Sequence, residues 1–201
     1  MSVAFQPVES AQDVEQLAKL ADEIWHEYWP ALIGKAQTDY MVEQFQSLSA
    51  IKRDMAEHAY EYWFIVAQED GEKNSAGADG RAGESANASE GGTGAEPARA
   101  RIVGYTGGHV EPETNRFFIS KIYLRAEERG KGFASQTIRF YEDLCRTRNL
   151  HAAYLTVNKH NDLGIRAYRA KGFETIDAVE TDIGNGFIMD DYIMELQVPS
   201  A

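Results

Sequence analysis

ISKIYLRAEERGKGFA, residues 119–134, is the stretch on which the fold of this chain turns. It closes a strand-like run, 116–124 (RFFISKIYL), and opens a helix in which Ala134, Ile138, Tyr141 and Cys145 recur on one face to about Asn149. Between the two lies a turn holding Gly130 and Gly132. Glycine permits backbone conformations that aim successive N–H groups into one concavity, and the helix beginning there adds the positive end of its dipole. A strand, a glycine turn and a helix in this order form an anion site. Lys121, Arg125, Arg129 and Lys131 gather positive charge beside it, on a chain of formal charge −12. Such a local reversal is what an anionic ligand requires.

Three phosphate-binding patterns compete for this turn. A Walker A loop needs Gly-x-x-x-x-Gly-Lys-Ser/Thr, and neither that spacing nor that ending is present. A dinucleotide fingerprint needs Gly-x-Gly-x-x-Gly early in a βαβ unit, whereas Ser135 takes the third glycine position and the turn lies late in the chain. The third pattern, Arg/Gln-x-x-Gly-x-Gly/Ala of acyl-CoA loops, is met by Arg129, Gly132 and Ala134.

Outward from this unit the pattern continues both ways. Downstream, 151–157 reads as a strand, 162–171 as a helix, and 173–180 and 187–198 as two last strands. Upstream, 3–8 is a short strand. Ser10 followed by Asp13 reads as a helix N-cap with an acid in the first turn, and Val14, Leu17, Ala21, Ile24, Trp25 and Tyr28 recur at helical spacing to about Pro30. Thr38 is read as the cap of a second helical stretch, and Ser49 as the restart of a third to about His58. Two strand-like runs come next, 60–68 (YEYWFIVAQ) and 101–110 (RIVGYTGGHV). Residues 71–100 between them contain no large apolar side chain and are rich in Gly, Ala, Ser and Glu. They cannot bury enough surface to offset their ordering entropy, so a disordered low-complexity insertion in a hairpin loop is expected. Five acids and three bases leave −2 on the insert, so −10 of the −12 lies outside it.

A helix between strands 116–124 and 151–157 implies a parallel pair with a right-handed crossover, and helix-free joints imply antiparallel neighbours. The expected fold is α+β in three layers, α/β/α, as a single domain over 1–201. Helices lie on both faces of a mixed, mostly antiparallel sheet of about seven strands with a central parallel pair.

From Phe117 to Phe173 the chain resembles the central motifs of the GCN5-related N-acetyltransferases. ISKIYLRAEERGKGFA is similar to the family's strand–loop–helix motif. LTVNKHNDLGIRAYRAKGF, residues 155–173, is similar to the motif that comes after it: a strand, an Asn, a helix with Ile and Tyr, then Gly-Phe. The resemblance implies the acyl-CoA N-acyltransferase fold and acetyl transfer from acetyl-CoA, a co-substrate, to an amine; separately, the five histidines show no metal-ligand spacing such as His-Glu-x-x-His, so no metal is expected. The resemblance also implies that Ile122, Tyr123 and Leu124 end the strand whose backbone pairs with the pantetheine arm. Gly130, Lys131, Gly132, Phe133, Ala134 and Ser135 would supply N–H groups around the pyrophosphate, with Arg129 opening the loop. Asn161 would hydrogen-bond the cofactor, and Tyr168 would be the catalytic residue, near the sulfur. Two departures stand out: Ala126 replaces a common Pro, and Gly164 replaces a common Ala, which weakens that helix by up to about 1 kcal/mol. DIGNGFIMDDYIMEL (182–196), with WHEYW (25–29) and QTDYM (37–41), is similar to bacterial members that acetylate spermidine or related amines.

The chemistry sets demands of its own. A primary amine of pKa ~10.4 is neutral in roughly one molecule in 2,500 at pH 7, equivalent to about 4.6 kcal/mol, so a base, a water chain or desolvation must help. Ser120 stands where a number of relatives carry Glu. Candidates elsewhere are His26, Glu27, His109, Glu111 and one of Asp190 and Asp191, since adjacent strand residues face opposite ways. Trp25, Tyr28, Trp29 and Tyr40 either line an amine pocket or pack in the core. Tyr168 would protonate or hydrogen-bond the leaving thiolate, and a backbone N–H near Leu124 would hold the oxyanion.

Bulk properties narrow the rest. The acidic balance argues against nucleic acid, whose binders cluster Lys and Arg, and suits a cationic partner. No apolar run nears the length of a membrane span, no secretory signal opens the chain, and one cysteine, Cys145, cannot form an internal disulfide. A cytoplasmic protein acting on a small amine or polyamine is expected, with homodimerisation left open. Protein or peptide N-acetylation and a non-catalytic acyl-CoA sensor are the alternatives, the latter motivated by Ser120.

Overall fold

The computed structural model describes residues 2–68 and 100–199. Apart from Ala100, the insertion expected at 71–100 lies outside the described residues. Seven strands form one sheet: β1 (Ser2–Pro7), β2 (Glu61–Gln68), β3 (Arg101–Glu111), β4 (Arg116–Leu124), β5 (Ala152–Asn158), β6 (Glu174–Gly184) and β7 (Phe187–Gln197), in the order β1-β2-β3-β4-β5-β7-β6. β4 and β5 are parallel and all other neighbours antiparallel, as the sequence predicts. The helices are α1 (Ala11–Tyr28), α2 (Pro30–Ile33), α3 (Lys35–Phe45), α4 (Leu48–Glu57), α5 (Phe133–Thr147) and α6 (Asp162–Arg169).

Both faces of the sheet are covered, which is why β2 reads as an unbroken apolar run. Tyr62, Phe64 and Val66 pack with Leu17, Ile24 and Ile51 of α1 and α4, while Trp63 joins Ile138, Tyr141 and Cys145 of α5 on the other side. Ser10 and Asp13 form a reciprocal capping box at the start of α1. Two expected caps move. Thr38 lies inside α3, its hydroxyl donating to the Gly34 carbonyl at 2.8 Å, and Ser47, not Ser49, caps α4 through the Ala50 N–H at 3.3 Å. Pro30 does not simply end α1; it starts the short α2, at a position where its missing N–H costs nothing.

Two features of β4 shape the space beside it. Gly107 pairs with Lys121 and Gly108 with Ile119, so Ser120 is the extra residue of a β-bulge. Alternation reverses there: Phe117 and Ile119 pack on the α5 side, whereas Lys121 turns to the α4 side. Second, β4 and β5 pair only from Arg116–Phe118 to Ala152–Tyr154. Beyond that the strands separate, and a cleft opens between their C-terminal halves.

Candidate active site

The cleft between β4 and β5 belongs to a cavity of about 270 Å³. It is lined by Ile122, Tyr123 and Leu124 of β4, Leu155 to Asn158 of β5, Ala134, Ser135 and Ile138 of α5, and Asn161, Gly164 and Tyr168 of the α6 region. Residues of α1 and α3 close it from the other face. The two motifs singled out in the sequence therefore meet in one space.

At its mouth α5 begins without a side-chain cap. Gly132 is the N-cap at φ +83°, in the left-handed region, and no atom lies within 4 Å of where its Cβ would sit. Substitution there meets strain, not crowding. The Phe133, Ala134 and Ser135 N–H groups are thus the orphan donors of the helix, at its positive end. Phe133 itself is fully buried among Ile65, Ala67 and Val103, so its side chain anchors the turn and only its backbone can serve a ligand.

The cationic patch is smaller than its sequence suggests. Lys121 leaves it altogether: it is 5% exposed, its Nζ lies 3.8 Å from Asp54 and 4.7 Å from the Tyr60 ring centroid, and burial pushes it down to about 8. The Ser120 bulge is the physical cause. Lys131 pairs at 3.1 Å with Glu128, which is 1% exposed and also held by Arg101. Arg125 pairs with Glu23 at 2.9 Å. Arg129 donates from Nε to the Leu124 carbonyl at 3.1 Å, sits over the Tyr28 ring, and reaches Glu27 only at 3.8 Å. Exposed pairs of this kind contribute little, so the Arg129 guanidinium is the one most easily released to an anion.

On the α6 side, Asn161 caps the helix: its Oδ1 accepts from the Gly164 N–H at 3.0 Å and from the Tyr28 hydroxyl at 3.4 Å. Only its Nδ2 hydrogens are left to offer a ligand. A Cβ on Gly164 would lie 2.8 Å from that Nδ2, so glycine here makes room for the cap. Burial and the Tyr28 phenol push Tyr168 up to about 12, which keeps it protonated at neutral pH.

The candidate bases separate cleanly. His26 lies on the outer face of α1 between the Asp22 carbonyl and Asp39. Glu27 accepts from the Ala126 N–H and faces Arg129. His109 packs against the Tyr60 ring, and Glu111 binds Tyr154, Thr114 and Arg116; neither lines the cavity. Asp190 pairs with Lys159. Asp191 does line the cavity, is 4% exposed, and its Oδ1 has no partner among the described residues. Burial, then Asp190, push its carboxyl up to about 6, with Lys159 opposing. Tyr123 is raised by burial first and then by Tyr168 and Asp191.

Around Asp191 the wall is aromatic and apolar. Trp25 and Trp29 stack at 5.1 Å, and Tyr123 meets Trp25 edge-on at 5.3 Å. Trp29 Nε1 is buried without a partner among the described residues. Tyr40 is not in this wall; its hydroxyl donates to the Ile183 carbonyl at 2.6 Å and holds the β6–β7 hairpin against α3. That hairpin delivers Met189, a lining residue no sequence signal pointed to. Cys145 is fully buried on α5, its thiol pushed up to about 11 by burial.

A mixed sheet splayed at its parallel pair, with a glycine turn and helix start at the opening, defines an acyl-CoA N-acyltransferase fold. The acetyltransferase (GNAT) family model matches residues 82–173 of this chain. Among curated proteins, the uncharacterized N-acetyltransferase YycN of Bacillus subtilis (strain 168) is 32% identical over 80 residues. The match takes in 39% of this chain and 51% of YycN, so the chain spans about half the length of the curated relative it matches. Of solved structures, the PaiA N-acetyltransferase of Thermoplasma acidophilum, in complex with coenzyme A, superposes with a TM-score of 0.65 at 16% identity, covering 98% of this chain and 99% of that one. Mutant forms of the spermidine/spermine N-acetyltransferase SpeG of Vibrio cholerae superpose with a TM-score of 0.57 at 18% identity, covering 97% and 93%. At these identities the likeness is one of fold. Among the described residues no helix is long and apolar enough to cross a membrane.

Proposed function

We propose that this protein transfers an acetyl group from acetyl-CoA to a primary amine, a small amine or polyamine. The observation that carries the reading is the cleft where β4 and β5 part, with the uncapped start of α5 at its mouth. A pantetheine arm needs an unpaired strand edge to lie along, and a diphosphate needs orphan N–H donors. Both stand at the same opening. The coenzyme A held by the Thermoplasma fold relative makes acetyl-CoA the first ligand to test.

In this reading Ile122, Tyr123 and Leu124 present the β4 edge to the arm, and Gly130 to Ser135 with Arg129 hold the diphosphate. Asn161 donates from Nδ2, and a strand N–H near Leu124 receives the oxyanion. Tyr168 faces the sulfur. With its phenol near 12 and a thiol at ~8.5, full proton transfer to thiolate is uphill by roughly 5 kcal/mol, so Tyr168 acts chiefly by donating a hydrogen bond. Exchange to Phe removes that donor and little else. Tyr168→Phe is expected to bind acetyl-CoA by calorimetry as the parent does, and to release thiol with kcat lower by about 10- to 100-fold. Folded protein without affinity for acetyl-CoA would end the assignment; unchanged turnover in the variant would return Tyr168 to packing.

A further inference from the structure

We propose that the acceptor is a primary monoamine with an apolar body, paired with and deprotonated by Asp191, and not a polyamine. The inference rests on the acetyl-transfer reading above and narrows it. Among the described residues lining the cavity, Asp191 is the only acid, while Arg129 and Lys171 are cations. A second ammonium in the same space would find no second carboxylate among the described lining residues. Trp25, Trp29, Ile33, Met41, Tyr123 and Met189 form one apolar cluster that lines the cavity with Gln37, and Asp191 adjoins it through Tyr123. They can cover an alkyl or aryl body and can face one cation with aromatic rings, and none of them carries a negative charge for a second one.

Geometry also makes one carboxylate sufficient for one amine. The Asp191 Oδ1 is buried and unpartnered among the described residues, a state that costs free energy until a donor arrives. An incoming ammonium supplies three donors. Inside an apolar wall the charged forms of both groups are disfavoured, so burial draws the carboxyl up and the ammonium down toward a common proton affinity. The ammonium gives one proton to Asp191, and the nitrogen lone pair forms the C–N bond at the thioester carbonyl. The electron pair pushed onto oxygen returns, the C–S bond breaks, and the second nitrogen proton ends on the departing sulfur. The products are the acetamide, the CoA thiol and one proton that Asp191 passes to water. A polyamine would need this carboxylate twice, once to take the proton and once to hold a distal charge.

The titratable neighbours of Asp191 are Asp190 on its own strand, Lys159 after β5, and Tyr123 on β4, with Tyr168 of α6 beyond it. On β6, Val179 stands opposite Asp191 and Glu180 opposite Asp190. Lys159 and Asp190 pair with each other, which leaves Asp191 as the group that changes charge near neutrality.

The test uses the full chain in three measurements. Calorimetry with acetyl-CoA comes first; no binding overturns both this inference and the reading beneath it. Thiol release is then compared for hexylamine, 2-phenylethylamine, putrescine and spermidine. We expect kcat/KM for the monoamines to exceed that for spermidine by at least about tenfold. Binding of acetyl-CoA with spermidine equal or better overturns the monoamine assignment while leaving acetyl transfer intact. Asp191→Asn should bind acetyl-CoA normally and lose about 10²-fold or more in kcat/KM at pH 7. The parent's kcat/KM should level off above about pH 6, whereas the variant's should keep climbing toward the amine's own pKa, because solvent must now supply the neutral nucleophile. Parallel pH profiles in the two proteins would remove Asp191 from the proton path.

Discussion

Asp191 is held ionised at neutral pH against its surroundings. Its folded carboxyl stands near 6 where a free one stands at 3.8, so keeping the charge costs on the order of 3 kcal/mol. A raised carboxyl contributes stability below its unfolded value, and that contribution is lost as pH rises through the folded one. Asn has the same shape without the charge. Asp191→Asn should therefore melt a few degrees above the parent at pH 8, roughly 2–6 °C, and alongside it at pH 4. The offset is smaller than the full cost because the amide still lacks a partner. A variant less stable than the parent at pH 8 would mean that an unseen donor holds the carboxylate. Stability gained where activity is lost is the signature of a charge kept for chemistry. Sequence alone could name Asp190 and Asp191 as a pair of which one faces inward. Which one it is depends on the register of β7 against β5, where Asn158 opposes Asp191, and no local pattern encodes that.

At the scale of elements, what was legible was local and what was hidden was cross-strand. The Ser10–Asp13 box, the α5 start at Gly132 and the β4–β5 parallel pair all derive from residues within a few positions of one another or from the order of elements. The Ser120 bulge does not. It arises from how β3 meets β4, and it takes Lys121 out of the cationic group to which its position assigns it. Gly164 shows the same limit. By helix propensity alone, alanine at this position gains about 1 kcal/mol. In the structure its Cβ would fall 2.8 Å from Asn161 Nδ2 and 3.1 Å from the Oδ1 that caps α6, and a lost cap costs ~1 kcal/mol. The two effects offset, so Gly164→Ala should leave the melting temperature within about 2 °C of the parent. The displaced Asn161 amide should nonetheless weaken acetyl-CoA by several-fold in calorimetry, about 1 kcal/mol or less. Clear stabilisation with unchanged affinity would show that the cap has a second arrangement and that Asn161 does not reach the cofactor.

Over the whole molecule, the site is assembled from both sides of the segment that separates β2 from β3. Trp25 and Trp29 come from before it, while the glycine turn, Tyr168 and Asp191 come from after it. The two parts are joined by a ladder: Ala67 pairs with Arg101, and the register runs on to Glu61 and Gly108. Because that pairing returns the chain to an adjacent strand, a tight turn can close the hairpin as well as a long connection can. Closure entropy grows only with the logarithm of length, so replacing residues 70–99 by a four-residue turn should stabilise the protein by about 1–2 kcal/mol. The family match begins at residue 82, inside this segment, yet every side chain placed around the cavity lies at or before Met41 or at or after Ile119. The shortened chain is therefore expected to melt several degrees higher and to bind acetyl-CoA with unchanged affinity. Loss of cooperative melting would give the segment a share in the fold; intact melting with lost binding would give it a share in the site.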